Sequence, residues 1–159
     1  MPLSNDLKEL IHFSDKYAEI EMPFRGTVTN GMLLWLDEHL LKQWWKLSDA
    51  KVELQSGGMF YLRWSGREDK GNHAIFGILD ELDIEANSFK VKKIIYVTGT
   101  TKFSGLELHI SFINFGGDDS AIKLRLSHLF DPYTKSLFDK SVLQSWPPSF
   151  SLFRKFVES

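Results

Sequence analysis

The chain has 159 residues, enough to bury a sizeable core in one domain and too few for two comfortable ones. Its 19 Lys and Arg against 21 Asp and Glu leave a formal charge of −2, which gives non-specific nucleic-acid binding no electrostatic support. There is no cysteine, which excludes disulfides, thiolate catalysis and cysteine-ligated metals, and no apolar run approaches the roughly 20 residues needed to span a bilayer.

The opening residues MPLSNDLKELIHFSDKY carry acids among short apolar positions. This is not the basic-then-apolar order of a secretion signal, so a cytoplasmic location is the expectation. Leu3, Leu7, Leu10 and Ile11 fall at helical spacing, and residues 1–15 read as a short helix or a loosely attached arm before a single domain at 16–159. From Lys16 the pattern alternates, with Ala18, Ile20, Met22 and Phe24 on one side and Tyr17, Glu19 and Glu21 on the other. That is a half-buried strand, and Pro23 places it at an edge or near its end.

TVTNGMLLWLDEHLLKQWW follows. Thr29 or Asn30 is a candidate cap for a helix carrying Leu33, Leu34 and Leu36, and Asp37 for a second one ending on Trp44 and Trp45. The four-residue repeat Met32, Leu36, Leu40, Trp44 also fits one continuous helix. Strands come next: KVELQ, the turn SGG, MFYLRW, the polar turn SGREDKGN, HAIFGILDELD with Gly77 inside it, and FKVKKIIYVTG, whose alternation breaks at Lys92–Lys93. LELHISFINF puts Leu106, Leu108, Ile110 and Phe112 on one face, and AIKLRLSHLF does the same with Ile122, Leu124, Leu126, His128 and Phe130. In the last segment Trp146, Phe150, Phe153 and Val157 recur at helical spacing, with Ser145 as a cap and Pro147–Pro148 admissible only in the first turn. The linker before it, DPYTKSLFDKSVLQ, has room for a short helix.

The order predicts an α+β fold: a curved antiparallel sheet of about seven strands wrapped around a long C-terminal helix, with two short helices after the first strand. A helix laid across a curved sheet tends to leave a gap, and that gap is the expected ligand site.

Four segments carry a family resemblance: HLLKQWW, SGGMFYLRW, HAIFGILDELD, and LRLSHLFD with QSWPPSFSLFRKFVES. In this order they resemble the second helix, third and fourth strands, last strand and closing helix of the helix-grip superfamily, also called SRPBCC, START-like or birch-pollen-allergen-like. The match looks closest to the family of the C-terminal domain of the activator of the heat-shock protein 90 ATPase. The Pro-Pro pair and the long segment 131–144 depart from that pattern. The superfamily includes lipid and hormone binders and aromatic-polyketide cyclases. The resemblance therefore implies a hydrophobic, aromatic or acyl-type small-molecule ligand, without naming it. Co-chaperone activity in the namesake depends on a second domain, and it is carried here as analogy alone.

The expected cavity lining is Trp44, Trp45, Phe60, Leu62, Trp64, Leu108, Ile110, Phe112, Leu124, Leu126, His128, Trp146, Phe150 and Phe153. Adjacent helical residues point about 100° apart, so one face does not bury both Trp44 and Trp45. Either Trp45 packs beneath the sheet with Trp44 half exposed against the last helix, or one indole lines the cavity. His128 shares an apolar strand face. It reads as a hydrogen-bonded core residue or as the acid–base residue of a cyclase, dehydratase or hydrolase. Arg63 and Tyr61 lie on the face opposite Phe60 and Trp64 and are expected outward; His73 and His109 are expected to face solvent. No His or carboxylate set has ligand spacing, and no nucleophile elbow or phosphate loop is present, so no metal or cofactor is expected. A third reading makes the chain an interaction module with an exposed aromatic patch around Trp44. A protein partner and self-association both stay open.

Overall fold

The computed structural model describes residues 11–64, 73–99, 101–141 and 146–159. Its elements run β1 (Ile11–Phe13), β2 (Tyr17–Arg25), α1 (Val28–Leu36), α2 (Glu38–Trp45), β3 (Asp49–Val52), β4 (Gly58–Trp64), β5 (His73–Asp83), β6 (Ser88–Thr98), β7 (Thr101–Gly116), β8 (Asp119–Ser127), α3 (Pro132–Ser141) and α4 (Trp146–Val157). The strands form one antiparallel sheet in the order β1-β2-β8-β7-β6-β5-β4-β3. It has eight strands rather than seven. The extra one is Ile11–Phe13, which pairs Ile11 with Ile20 of β2 instead of continuing a helix. Three consecutive residues with a β-branched and an aromatic side chain suit a pleated edge. The rest of the expected N-terminal helix, the polar turn 65–72 and the Ser145 cap lie outside the described residues.

The first and last long strands, β2 and β8, lie side by side from Tyr17↔Ser127 to Arg25↔Asp119, so the whole α1-to-β7 excursion leaves and returns to one seam. Alternation then decides what faces inward. Ala18, Ile20, Met22 and Phe24 of β2 join Ile122, Leu124 and Leu126 of β8 and Leu108, Ile110 and Phe112 of β7 in one buried cluster. Each large side chain so buried contributes about 1.5–3 kcal/mol. Outside, Glu19 meets Arg125 at 2.7 Å and Lys123 at 3.7 Å, and the Arg125 guanidinium lies 4.1 Å over the Tyr17 ring.

The two helices after β2 are separate, and Asp37 is the reason. Its N–H closes α1 on the Leu33 carbonyl while its extended backbone (φ −93°, ψ 120°) lets a side-chain oxygen accept the Leu40 N–H of α2 at 3.0 Å. The α1 cap is Thr27, two or three residues before the expected Thr29 or Asn30, with its hydroxyl accepting the Asn30 N–H at 3.1 Å. Lys46 then ends α2 in the left-handed region at φ 55°.

A glycine inside a strand pattern predicts a bulge or a close backbone approach, and Gly77 shows both. The β5–β6 register shifts between Phe76 and Ile78, Lys93 opposite takes φ 54°, and a Cβ on Gly77 would overlap Val91 and sit 2.9 Å from Ile94. The loss of alternation at Lys92–Lys93 is the other half of this irregularity. Pro147 and Pro148 fall in the first turn of α4, where their missing N–H groups leave no intrahelical bond unmade.

Candidate functional site

The layer between the sheet and α4 is filled at one end by indoles. Trp35 of α1 lies 5.2 Å, centroid to centroid, from both Trp44 and Trp45. Trp44 and Trp45 stack at 4.8 Å with 13° between planes, Phe153 of α4 meets Trp44 edge-on at 5.4 Å, and Trp64 closes on Trp45 at 4.9 Å. Both tryptophans of the pair are buried, so neither sits half exposed: Trp44 is 2% and Trp45 6% accessible. The 100° divergence is met because α1 and α4 cover one ring and β4 the other. The Trp44 indole N–H donates to the Leu34 carbonyl at 2.6 Å. Trp35 has no such arrangement. Its Nε1 is buried and without a hydrogen-bond partner among the described residues, an unsatisfied donor of the kind that costs about 1–3 kcal/mol.

The other end is built from phenyl rings with polar groups among them. Phe138 of α3 packs on Phe103 at 5.1 Å and Phe130 at 5.3 Å, and faces Tyr96 at 6.3 Å. His128, just past β8, stacks on Phe130 at 4.8 Å and 13°. It is 5% accessible, and its Nδ1 accepts the Phe130 N–H at 3.3 Å. That contact requires an unprotonated Nδ1 and places the proton of the neutral ring on Nε2. Burial, reinforced by the Lys135 charge and opposed by Asp139, holds the imidazole below its ordinary pKa. The Tyr96 phenol, pushed up to about 12 by burial, is hydrogen-bonded to Trp146.

Between these two ends, a crevice opens beside α4. It is lined by Ile11, Ala18, Ile20, Leu124, Leu126, Trp146 and Phe150, with Glu19 at its edge, and has about 10 Å³ of room, enough for one water. Of the fourteen expected lining residues, Leu124, Leu126, Trp146 and Phe150 reach this crevice. Trp44, Trp45, Phe60, Leu62, Leu108, Ile110, Phe112 and Phe153 are buried in the filled layer, and Trp64 is half-buried at its margin. Phe150 connects the crevice to the indole end, lying 6.4 Å from Trp35 and 5.9 Å from Trp146. Trp35, Tyr96 and Phe138 carry no distinguishing mark in the sequence. Trp35 sat inside an apolar helical run, and Tyr96 followed the register break, so neither showed a face.

Tyr61 and Arg63 are half-buried on the face away from the core, as expected, beside exposed Met59. His73 pairs with Trp64 on the inner-facing side and is half-buried, not simply solvent-facing. His109 sits half-buried in the outer ladder between Lys90 and Arg125, and desolvation with the Lys90 charge lowers its pKa. Among the described residues no three His, Asp or Glu side chains are placed to hold a metal, and no helix is long and apolar enough to cross a membrane.

The solved structures that share this arrangement include a Rhodobacter sphaeroides protein (12% identity, TM-score 0.70, covering 92% of this chain and 95% of that one). A Mycobacterium smegmatis protein matches at 15% identity and TM-score 0.70, covering 95% of this chain and 92% of that one. A Nitrosomonas europaea protein matches at 14% identity and TM-score 0.69, covering 91% and 95%. Identities this low speak for the fold alone. Comparison with curated proteins finds no match. The family model described as Activator of Hsp90 ATPase homolog 1-like protein matches residues 33–135, from α1 through the strands to the start of α3. The chain belongs to that family, within the helix-grip superfamily that the four sequence segments resemble.

Proposed function

We propose that the protein binds a hydrophobic small molecule, aromatic or acyl in character and bearing an acceptor oxygen, between the sheet and α4. The observation that carries this reading is the buried indole N–H of Trp35, which has no hydrogen-bond partner among the described residues, in a ring 6.4 Å from Phe150, itself a wall of the apolar crevice. Buried donors are almost always satisfied, and a carbonyl or carboxylate oxygen would satisfy this one. A crevice of about 10 Å³ is far below the 300–1,000 Å³ of formed ligand pockets. Binding therefore requires Phe150 or Trp146 to turn aside, which favours modest affinity and slow entry.

Native mass spectrometry of the freshly purified protein would reveal a co-purifying ligand. Titration with decanoate, followed by ¹⁵N–¹H spectra of the five tryptophan indoles with Trp35→Phe for assignment, tests the site directly. The expected result is a downfield shift of the Trp35 signal. Leu126→Trp, which fills the crevice, should abolish that shift in a protein that stays folded. A bound ligand that leaves the Trp35 signal in place, or survives Leu126→Trp, puts the site elsewhere.

A second reading, catalysis of cyclase, dehydratase or hydrolase type, is favoured by one feature: His128 is buried and held neutral. With Nδ1 engaged by Phe130, its Nε2–H is left to donate a hydrogen bond that polarises a bound carbonyl, with the proton staying on the ring. His128→Ala should then remove turnover with little loss of affinity, and unchanged turnover would exclude that role.

A further inference from the structure

A second, preformed depression lies away from α4, where the edge of α1 meets the turns after β3 and β5. It holds about 220 Å³, with Met32 and Leu36 buried at its floor and Leu33, Leu54 and Ile84 on its rim. These three are exposed by 46%, 60% and 62%, unusual for large aliphatic side chains that converge from three separate segments on one groove. Asp37 lines the groove itself, and four more acids are next in sequence to lining residues: Glu38 follows Asp37, Glu53 precedes Leu54, and Asp83 and Glu85 flank Ile84. Oxygens of Asp37, Glu38, Glu53 and Asp83 accept the backbone N–H groups of Leu40, Val52, Met59 and Ala86, which fixes the carboxylates in place. Among the described residues none of the five acids is ion-paired, and no Lys or Arg lines the groove.

We propose that this groove receives the apolar face of a short basic amphipathic helix from a partner protein. The volume falls below the small-molecule range but accepts a pair of aliphatic side chains one helical turn apart, the usual anchors of helix-in-groove recognition. Asp37 and the four acids adjoining the lining, with no Lys or Arg in it, are complementary to Lys or Arg flanking those anchors. The same acids oppose a second copy of this chain, since an isologous pair would bring like charges together. The groove is formed by α1 and two hairpin turns and shares no lining residue with the crevice beside α4.

The test uses a fluorescein-labelled peptide of leucine and lysine, with leucines at i, i+3, i+4 and i+7, read by anisotropy against the full chain. One control peptide carries Glu in place of Lys; another keeps the composition with the leucine order scrambled. The expected result is micromolar binding of the lysine peptide that weakens with salt, and binding about tenfold weaker for each control. Leu54→Ser with Ile84→Ser, both exposed and outside the core, should cost about tenfold, and Asp83→Asn with Glu85→Gln should weaken binding and flatten its salt dependence. Phe76→Ser, 45% exposed on the outer sheet face, should change nothing. Equal binding of the three peptides, or affinity unchanged by the Leu54–Ile84 pair, overturns the proposal. So does self-association or decanoate binding that disappears in that double variant, either of which would assign the groove to another occupant.

Discussion

The two ends of the layer beneath α4 use aromatic residues in different ways. At the indole end Trp35, Trp44, Trp45 and Phe153 interlock with no titratable side chain among them. At the phenyl end Phe103, Phe130 and Phe138 surround Tyr96 and His128, two groups that gain or lose protons. Close-packed rings hold the helices on the sheet, whereas rings around polar groups create a low-dielectric environment in which a proton or a hydrogen bond counts for more. The crevice lies where Phe150 and Trp146 join these two environments. The first end is ring packed on ring, and the second holds two titratable groups among rings.

Truncation at the indole end should have the largest effect. Trp44→Ala removes a side chain that touches Trp35, Trp45 and Phe153 and leaves the Leu34 carbonyl without its 2.6 Å donor. A loss of about 3–5 kcal/mol is expected in urea unfolding. A loss under about 1 kcal/mol would mean that the stacked pair is loosely held and the comparison false. Tyr96→Phe probes the other end more gently. It keeps the ring and removes the oxygen bonded to Trp146, at an expected cost of about 1–2 kcal/mol near neutral pH. The raised phenol adds a signature. The unfolded phenol ionises near its ordinary value of 10.0 and the folded one near about 12, so wild-type stability should fall as pH rises across that window. Tyr96→Phe should lack that fall. If Tyr96→Phe costs as much as Trp44→Ala, the two ends are not energetically distinct.

What the sequence disclosed follows the same division. Alternation along 18–24, 106–112 and 122–126 is strict, and each of those inward faces is buried. Asp37 and the Pro-Pro pair announce themselves by local backbone chemistry, which needs no tertiary contact. The Gly77 bulge was legible for that reason too. By contrast, the burial of both Trp44 and Trp45 depends on α1, β4 and α4 arriving from distant parts of the chain, and no local pattern contains that. The edge strand Ile11–Phe13 likewise owes its form to the free edge of β2. The groove at Leu33, Leu54 and Ile84 is harder still, because its walls are single residues from three turns and helices, with no periodicity to join them. As for the crevice, the sequence named four of its residues but had no means of weighing ring volumes against the space under α4.

The smallest expected effect concerns His128, and its sign is fixed by the direction of the shift. Its folded pKa is lowered, first by burial and then by the Lys135 charge, against a partial opposing pull from Asp139. The unfolded chain therefore takes up the proton first as pH falls below about 6.5, while the folded ring resists it. Stability should be fully present above that value and decline as pH falls toward the folded pKa. His109 is lowered as well and adds to the same slope. Separate His128→Gln and His109→Gln variants, unfolded in urea between pH 7.5 and about 5, apportion it. The His128 variant should remove the larger part, because that ring is buried while His109 lies half-buried in the outer ladder. If His109→Gln flattens the profile and His128→Gln does not, then protons reach the His128 pocket freely, and the phenyl end is not the low-dielectric site in which a neutral imidazole donates a strengthened hydrogen bond.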